Sequence, residues 1–572
     1  MTPPLFDRSD LLSILKKRVG GFQAGYRQNL ALIGPPGMGK SALIREFLRQ
    51  ETRQESLLIP LYLEVGSEEG VSEWIARFVQ TVLYAVLQLR KTQSFPTHLP
   101  ELVEACAALV PRTATLAGRV AVLSEAGRLE EAYDRLWELP HLLTQETGHR
   151  VLLVLDEFHR LRGLPVKEPF RSLGQKVMVQ STTMYLVASS EPAAAYSILR
   201  EGLALLFGKF EVVEVPPLAS RACRKAIRSM RPEEPMDPFA EHLLMDLAQG
   251  NPRHLDLLLE EWQRVSHGCP ETGDGLLDLL ESLFIDPDSS LRRDFERRLR
   301  LLPAHRNRMF SLLVLEWVVA GVHRLPQLAR QAQRPVSQVA KALQLLEGCR
   351  LVEREGAFYR VQHRLFHAWL MMAYPVLQGV ALVGPEQAKA HFRQAAATWM
   401  KGMRAAAERP MEDPLQQLLM LWGDEVAELD GRRILLPKFR LVERVPGPLD
   451  RMSLLGRPAK KQKGGWWVVP WTGGLDEGQA RQLVQQLRAF APLKEYRKVL
   501  IGAARAEVNA RLVLQEAKVR FWDLSSLNQL LDLYGLTRLP VPEEADAPPS
   551  QTIPLREAPL QGAEDSSSQV VG

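Results

Sequence analysis

The chain has 572 residues, and its 72 Lys and Arg residues against 67 Asp and Glu residues give a formal net charge of +5. This charge is too small to indicate a nucleic-acid partner by itself. The length exceeds what one hydrophobic core supports, so three or four domains are expected. The four cysteines are scattered, without CxxC pairs or nearby histidines, which argues against a disulfide framework or a zinc site and predicts a cytoplasmic protein. No signal-peptide pattern or bilayer-length apolar stretch is found, so we expect no membrane partner.

A strand, a glycine-rich loop and a helix are predicted at residues 29–33, 34–40 and 41–49. The loop fits GxxxxGK[ST] in full. Its backbone N–H groups can surround phosphate, and the N-terminal end of the helix adds positive potential. Lys40 can reach the β- and γ-phosphates, and Ser41 can ligate Mg²⁺. The residues expected to bind ATP are Gly34, Pro35, Pro36, Gly37, Met38, Gly39, Lys40, Ser41 and Ala42.

Further short apolar strands are predicted at residues 57–65, 151–155, 184–188 and 211–215, with helical patterns between the first two. Strands of this kind separated by helices indicate a parallel sheet covered on both faces. The strand at 151–155 ends in Asp156 and Glu157. The first carboxylate can hold magnesium, and the second can act as general base toward the attacking water. A solvated acidic turn is the alternative interpretation, but the intact P-loop favours catalysis.

Residues 219–265 read as helical, with a break at 250–252, and helices follow at 308–321, 326–331 and 337–347. Two alternating runs around Glu355-Gly356 predict a hairpin, which completes the parts of a winged helix-turn-helix. The helix at 337–347 would offer Gln338 and Lys341, with Ser337 and Gln344, to a groove of double-stranded DNA. A regulatory packing module with a solvated basic face is an equally good interpretation.

A second α/β region follows, with strands predicted at 434–445, 450–455, 466–471 and 499–503 and a helix at 477–490. The run Lys460-Lys461-Gln462-Lys463 before Trp466-Trp467 suggests nucleic-acid binding by charge and stacking. We slightly favour the simpler interpretation of a basic loop before a buried strand. The acidic, Pro- and Ser-rich stretch 541–572 is expected to be disordered.

These motifs resemble the archaeal-type ATPase family, which is related to the STAND and AAA+ ATPases. The similarity includes Asp156-Glu-Phe-His-Arg-Leu161 and the "FxxRxxEL"-like start. The resemblance implies that Ser189 and Ser190 end a sensor strand that contacts the γ-phosphate and water. It places Lys209 where an arginine finger is usual. It implies that Arg253 is a sensor at the start of the lid, although an exposed arginine at a helix start is an equally good interpretation. Lys cannot clamp phosphate in a bidentate way, which leaves the role of Lys209 open.

The resemblance also extends to the later domains. The segment 361–369 is similar to the family's "DPLxxFW" segment, with His363 at the usual Asp. The last domain of the family has a restriction-nuclease-like fold whose "ExK" motif corresponds here to Val468 and Pro470. Asp450 would be the one remaining acid, and one carboxylate cannot assemble the magnesium site. We therefore expect this domain to bind or assemble rather than cleave, unless the alignment is shifted.

The fold predicted is an α/β P-loop NTPase of the ASCE type with additional domains. The predicted domains are a P-loop ATPase domain (1–218), a helical lid (219–285), a winged-helix domain (286–375), a helical connector (376–432), an inactive nuclease-like α/β domain (433–540) and the acidic tail (541–572). The first hypothesis is an ATP- and Mg²⁺-dependent switch acting on DNA or a protein partner, with ATP-dependent homo-oligomers. The alternatives are an origin- or repair-type ATPase in which duplex DNA binding is primary, and a scaffold that binds ATP without hydrolysis.

Overall fold

The structure is a computed structural model. It describes residues 7–51, 58–67, 69–89, 95–202, 210–230, 236–266, 275–303, 307–429, 432–458, 465–471, 473–490, 493, 495–502 and 506–540. The chain divides into two compact units, which we describe separately. The first unit comprises residues 1–300 and 363–397, and the second comprises residues 301–362 and 398–572. The domain boundaries expected from the sequence are finer than this division and remain predictions.

Strands and helices are numbered separately along the chain. The strands are β1 Asn29–Ile33, β2 Leu58–Glu64, β3 Arg150–Asp156, β4 Thr183–Ser189, β5 Phe210–Glu214, β6 Val352–Glu355, β7 Phe358–Val361, β8 Glu425–Leu429, β9 Arg432–Leu436, β10 Phe439–Pro446, β11 Met452–Pro458, β12 Trp466–Trp471, β13 Arg497–Gly502 and β14 Arg520–Trp522. The helices are α1 Ser9–Gln23, α2 Lys40–Glu51, α3 Val71–Leu89, α4 Leu99–Ala107, α5 Pro111–Glu125, α6 Leu129–Leu136, α7 Leu139–Thr147, α8 Pro169–Val179, α9 Pro192–Ser197, α10 Ser220–Met230, α11 Pro238–Ala248, α12 Pro252–Ser266, α13 Gly275–Phe284, α14 Ser290–Arg300, α15 Arg308–Val319, α16 Leu325–Ala332, α17 Val336–Gly348, α18 Arg364–Met372, α19 Tyr374–Val383, α20 Pro385–Ala407, α21 Glu412–Leu421, α22 Glu477–Ala489, α23 Val508–Glu516 and α24 Leu524–Leu533.

The first unit is built on a five-stranded parallel sheet in the order β2-β3-β4-β1-β5. Every residue of β1 and β4 is buried, because helices cover both faces of the sheet. One core, which includes Trp74, Phe78 and Trp137, lies on one face, and a second, which includes Phe22 and Phe47, lies on the other. Strand β4 lies between β1 and β3, so the carboxyl end of β4 separates the P-loop from Asp156. This arrangement confirms the predicted α/β P-loop core.

The second unit contains a five-stranded mixed sheet in the order β10-β11-β12-β13-β14. Strands β10, β11 and β12 are antiparallel neighbours, whereas β12, β13 and β14 are parallel. The parallel connections run through α22 and α23, as a crossover between parallel strands requires. The core on one face contains Trp422, Trp466 and Trp522, whose rings lie within 6.3 Å of one another. Trp466 and Trp467 are both buried and are not available to stack on bases.

The second unit also contains helices α15, α16 and α17, followed by the β6–β7 hairpin. The hairpin tip packs against β8, where the Ala357 N–H donates to the Val426 carbonyl at 2.9 Å. At the same tip, the Gln529 amide donates to the Glu355 carboxylate at 2.8 Å, and Phe358 enters the core around Trp422. The predicted hairpin is therefore present, and the rest of the second unit covers its tip.

Two differences from the sequence-based elements concern the second sheet. The strand predicted at 434–445 is divided into β9, which pairs with β8, and β10, which pairs with β11; Pro437 lies between them and cannot donate a ladder hydrogen bond. Asp450 closes a short 3₁₀ turn, Pro448–Asp450, so the next strand begins at Met452 rather than at residue 450. Strands β8 and β14 were not predicted. Within the described residues, no helix is long and apolar enough to cross a membrane.

Candidate functional site: a P-loop and the start of helix α12

The loop between β1 and α2 has the conformation that its glycines permit. Gly37 and Gly39 both have φ of +81°, a region that side-chain-bearing residues rarely adopt. Helix α2 begins at Lys40, so its free N–H groups face the loop. Ser41 lies in the first turn of that helix. The loop therefore offers backbone donors and a helix N-terminus to a phosphate.

The Lys40 side chain lies inside the curve of this loop. Its ammonium donates to the carbonyl oxygens of Gly34 at 2.7 Å and Pro35 at 2.9 Å, and the residue is only 5 % exposed. Burial lowers the pKa of Lys40, and the carboxylates of Glu157 and Asp156 oppose that shift. A buried ammonium among carbonyls, beside a glycine loop, fits the phosphates of a nucleoside triphosphate.

Asp156 ends β3 and is fully buried. Its carboxylate accepts hydrogen bonds from the Tyr62 hydroxyl at 2.8 Å and from the Glu157 N–H at 3.0 Å. Burial and the adjacent carboxylate both raise the pKa of Tyr62, so Tyr62 remains a neutral donor. The carboxylate oxygens of Asp156, together with the Ser41 hydroxyl, are ligands that suit a hard divalent cation such as Mg²⁺. Tyr62 was missed by the sequence analysis because its relevance depends on the pairing of β2 with β3.

Glu157, the predicted general base, is hydrogen-bonded to the end of the neighbouring strand. Its carboxylate accepts from the Ser190 N–H at 2.9 Å and from the Ser190 hydroxyl at 2.8 Å. Glu157 itself has φ of +55°, which is uncommon for a non-glycine residue. The structure thus brings together two residues that were predicted to be catalytic, and it places them in direct contact.

A buried histidine extends this hydrogen-bond network. The His159 ring lies 2.9 Å from the Ser189 hydroxyl through Nδ1 and 2.8 Å from the Glu191 carboxylate through Nε2. The Glu157 carboxylate lies 3.4 Å from the same Nδ1. Burial lowers the pKa of His159, and the Glu191 and Glu157 carboxylates oppose that effect. In this structure the Ser189 hydroxyl, which was predicted to contact the γ-phosphate and water, is therefore bonded to His159. His159 and Glu191 were missed because only the adjacency of β3 and β4 brings them into the site.

The start of α12 rests directly on the tip of the P-loop. The Asn251 amide donates to the Pro36 carbonyl at 3.2 Å, and the Arg253 N–H approaches the Gly37 carbonyl at 3.4 Å. A Cβ atom on Gly37 would lie 2.6 Å from the Asn251 Oδ1 atom, so the contact requires glycine. The Arg253 side chain is exposed, so its predicted sensor role stays a prediction. Helix α12 begins where the sequence analysis predicted a helix break.

A polar pocket adjoins this contact. It is lined by residues of the P-loop tip, α12 and α14 and by His363. The rings of His254 and His363 meet edge to face, with centroids 5.5 Å apart. Burial lowers the pKa of His254 to about 4, and the charges of Arg298 and Arg253 add to this shift. His254 is consequently neutral near pH 7, and His363, whose departure from the family pattern had no explanation, packs against it.

Some predicted residues lie elsewhere. Lys209 and the Lys460–Lys463 run fall outside the described residues, as does the acidic tail. Gln338 and Lys341 belong to the second unit, where both are exposed on α17. Val468 and Pro470 are buried in β12. Among the described residues, no group of three or more His, Cys, Asp or Glu side chains is arranged to hold a metal.

Comparison with known proteins identifies the nucleotide-binding part of the chain. Residues 4–182 match the family model for the AAA ATPase domain. No curated protein sequence matches the chain. Similar solved structures include the Walker-type ATPase PABY2304 of Pyrococcus abyssi, with 16% identity and a TM-score of 0.40 over 64% of this chain and 96% of that one. The Aeropyrum pernix ORC1 protein in complex with DNA has 16% identity and a TM-score of 0.39, over 66% of this chain and 95% of that one. The Aeropyrum pernix ORC2 protein has 12% identity and a TM-score of 0.42, over 69% of this chain and 96% of that one.

The domain match and the parallel sheet together show an AAA+-related P-loop ATPase domain in the first unit. The match supports ATPase activity. The solved structures are similar only at low sequence identity and with TM-scores below 0.5, so the assignment rests on the domain match and the sheet.

Proposed function

We propose that the chain is a magnesium-dependent ATPase that works as a molecular switch, coupling its nucleotide state to binding of DNA or a protein partner. The observation that carries the proposal is the contact between the P-loop tip and α12. Asn251 donates to the Pro36 carbonyl and packs against Gly37, so a change at the loop acts directly on the lid helix. A coupling of this kind requires two states that the ligand binds with different affinity.

The residues of the site have separate roles in this proposal. Lys40 and the loop N–H groups bind the β- and γ-phosphates, and Ser41 and Asp156 would hold Mg²⁺. The metal, when bound, supplies positive charge that neutralises the phosphates. Glu157 accepts a proton from the attacking water. Both hydrogen bonds from Ser190 go to Oε2 of Glu157, so they orient the carboxylate while Oε1 accepts the proton of the attacking water.

The hydrolysis part of the proposal is tested with Glu157→Gln. We expect phosphate release to fall at least about 100-fold, because a general base typically contributes 10²–10⁴-fold. ATP affinity should remain within about threefold, because Lys40 and the loop are intact. Glu138→Gln is the matched control, since its carboxylate pairs with Lys176 on the surface of the same unit. Normal turnover by Glu157→Gln would rule out the base assignment.

The switch part is tested with the same variant, which should retain bound ATP. Size-exclusion chromatography with and without ATP would show whether the loaded state forms homo-oligomers. Adding duplex DNA to each sample would show which state binds it. An elution volume and a DNA affinity that do not depend on ATP would contradict the switch.

A second function, in which duplex DNA binding is primary, is favoured by the exposed face of α16 and α17. Arg330, Arg334, Gln338 and Lys341 are all exposed there, and none of these side chains forms an ion pair within the described residues. The hairpin tip is covered by β8, so contacts to a groove would come from α17 rather than from the hairpin. Lys341→Glu should weaken salt-sensitive duplex binding. Unchanged affinity in this variant would dismiss α17 as the reading element.

The second sheet, on our proposal, is nuclease-like in ancestry but inactive. The support is local: Val468 and Pro470 occupy the positions of the expected acid and lysine, and both side chains are buried. Pro470 is tolerated because the ladder between β11 and β12 ends at Val468, which leaves the missing N–H without a partner strand. Incubation with Mg²⁺ and supercoiled plasmid should leave the DNA uncut.

A further inference from the structure

An unusual group of arginines surrounds Trp466 in the second unit. The guanidinium carbons of Arg497 and Arg520 lie 5.4 Å and 5.9 Å from the centre of the Trp466 ring. Trp466, Arg497 and Arg520 are the first residues of three adjacent parallel strands, β12, β13 and β14. Arg432, the first residue of β9, lies close enough for its charge to act on Arg520. Three strands therefore begin at one basic edge of this unit, and Arg432 adds its charge to that edge.

Among the residues that the structure describes, these arginines have no carboxylate partner. Within the described part of the chain, Arg432, Arg497 and Arg520 form neither an ion pair nor a side-chain hydrogen bond. The Nη1 atom of Arg520 is buried without any hydrogen-bond partner. Burial and the charges of Arg497 and Arg432 lower the pKa of Arg520. A buried guanidinium N–H without an acceptor is costly, so an anion that supplies oxygen atoms would stabilise the cluster.

The charge of the second unit supports the same conclusion. The whole second unit, residues 301–362 and 398–572, contains 33 Lys and Arg and 26 Asp and Glu, whereas the first unit contains 39 and 41. The excess of basic residues in the whole chain is therefore concentrated in the unit that carries the arginine cluster. A basic surface of this kind attracts polyanions over a distance and raises their local concentration.

We propose that Arg432, Arg497 and Arg520 form a phosphate-binding site for the backbone of a nucleic acid. Planar guanidinium groups bind phosphate oxygens in a bidentate manner, and the Trp466 ring below them is an electron-rich surface that favours closely spaced cations. Base stacking is not part of the proposal, because Trp466 and Trp467 are buried. The site therefore contacts backbone and contributes affinity without sequence preference.

This inference extends the DNA-partner part of the proposed function, but it uses a different surface and needs no ATP. Binding of labelled 30-base-pair duplex and 30-nucleotide single strands to the full-length protein would be measured by fluorescence anisotropy. The titrations would be run without nucleotide at several salt concentrations. The test variant is Arg497→Gln/Arg520→Gln. The matched control is Lys438→Gln/Arg440→Gln, which removes two exposed charges near β10 at the far side of the sheet.

We expect the test variant to reduce affinity about tenfold or more near 0.1 M salt and to lower the slope of log affinity against log salt by about two. The control should change the slope by less than half as much. Equal effects of both variants would overturn the proposal, because they would indicate only net charge. An unchanged slope in the test variant would also overturn it.

Two further arms complete the test. Arg432→Gln alone replaces an exposed residue, and it should lower the salt slope by about one even if the double variant folds poorly. If inorganic phosphate raises the melting temperature of the unmodified protein, and no nucleic acid binds, the cluster holds free phosphate and the nucleic-acid assignment is wrong. Because Lys341→Glu tests α17 separately, loss of binding in that variant alone would leave this site without support.

Discussion

The two five-stranded sheets of the molecule differ in where their polar residues lie. In the first sheet, polar side chains follow the carboxyl ends of β3 and β4, where Glu157 bonds to Ser190 and Asp156 bonds to Tyr62. In the second sheet, β12 is buried along its whole length, and the charged residues Arg497 and Arg520 stand at the opposite, amino-terminal edge of the parallel strands. Open α/β sheets usually bind ligands at the carboxyl edge. The second sheet therefore cannot be interpreted by analogy with the first.

A carboxylate placed in β12 tests this difference most severely. Val468 is fully buried, so Val468→Glu would bury an acid among apolar side chains. We expect the free energy of unfolding to fall by about 3–5 kcal/mol, because no partner is available for the charge. Leu435→Glu is the control, since Leu435 is 53% exposed and should change stability by less than about 0.5 kcal/mol. Denaturant melts of the two variants that coincide would show that β12 is an open site.

For the first sheet, the corresponding change removes the ammonium from the P-loop. Lys40→Ala should lower ATP affinity by about 100-fold or more, because a charge-assisted contact to phosphate is worth about 3 kcal/mol. Titration with a fluorescent ATP analogue measures the change. Lys17→Ala, an exposed substitution on α1, should bind like the unmodified protein. Equal affinity in Lys40→Ala would contradict the position of the phosphates.

A pH titration tests whether the pocket beside the P-loop shields His254 from water and so from protonation. The pKa of His254 is lowered to about 4 in the folded protein, whereas an unfolded histidine titrates near its ordinary value of about 6.5. The unfolded state therefore takes up a proton first as the pH falls. Stability from the neutral histidine is complete above about pH 6.5 and is lost between about pH 6.5 and 4, by up to about 3 kcal/mol.

The measurement is the difference in unfolding free energy between the unmodified protein and His254→Gln at pH 7, 6, 5 and 4.5. The difference should shrink steadily across this range. His391→Gln, a substitution at an exposed histidine of α20, serves as the control for removing a histidine outside this pocket. A His254→Gln difference that did not vary with pH would show that the ring is not shielded from protonation.

The weakest effect is expected at two asparagine clamps, one in each unit. Asn251 holds the Pro36 carbonyl at 3.2 Å, and Asn528 holds the backbone of Leu539 through hydrogen bonds of 2.9 Å and 2.8 Å. Replacing either with Ala should cost about 1 kcal/mol. Only Asn251→Ala should also reduce the rise in melting temperature that ATP produces. If ATP raised the melting temperature of both variants equally, Asn251 would not couple helix α12 to the P-loop.

Much of the nucleotide-binding sheet was predictable, because its strands are short, apolar and bounded by recognisable loops. Strand β1 has the predicted bounds, and so does β12 in the second sheet. The P-loop and the acidic end of β3 were predictable for the same reason, since their chemistry is contained in local sequence. Helix α12 begins at the predicted break because Pro252 suits the first helical position.

The remaining features depend on contacts between distant segments. The bonds of His159 to Ser189 and of Tyr62 to Asp156 exist only once β2, β3 and β4 are paired. Strand β14 is three residues long and was invisible as a pattern. The arginine cluster was missed because its members lie on separate strands and are brought together only at the beginning of the sheet.

Gly356, at the tip of the β6–β7 hairpin, determines how much variation this part of the chain tolerates. Its φ is +65°, and a Cβ atom there would collide with the Val426 carbonyl oxygen. A hairpin tip in solvent accepts insertions and substitutions freely. Here the tip packs against β8, so a longer loop or a bulkier residue would push β8 away from the hairpin. Among related chains, we expect changes in the length of this hairpin to be accompanied by changes in the amino-acid sequence of β8.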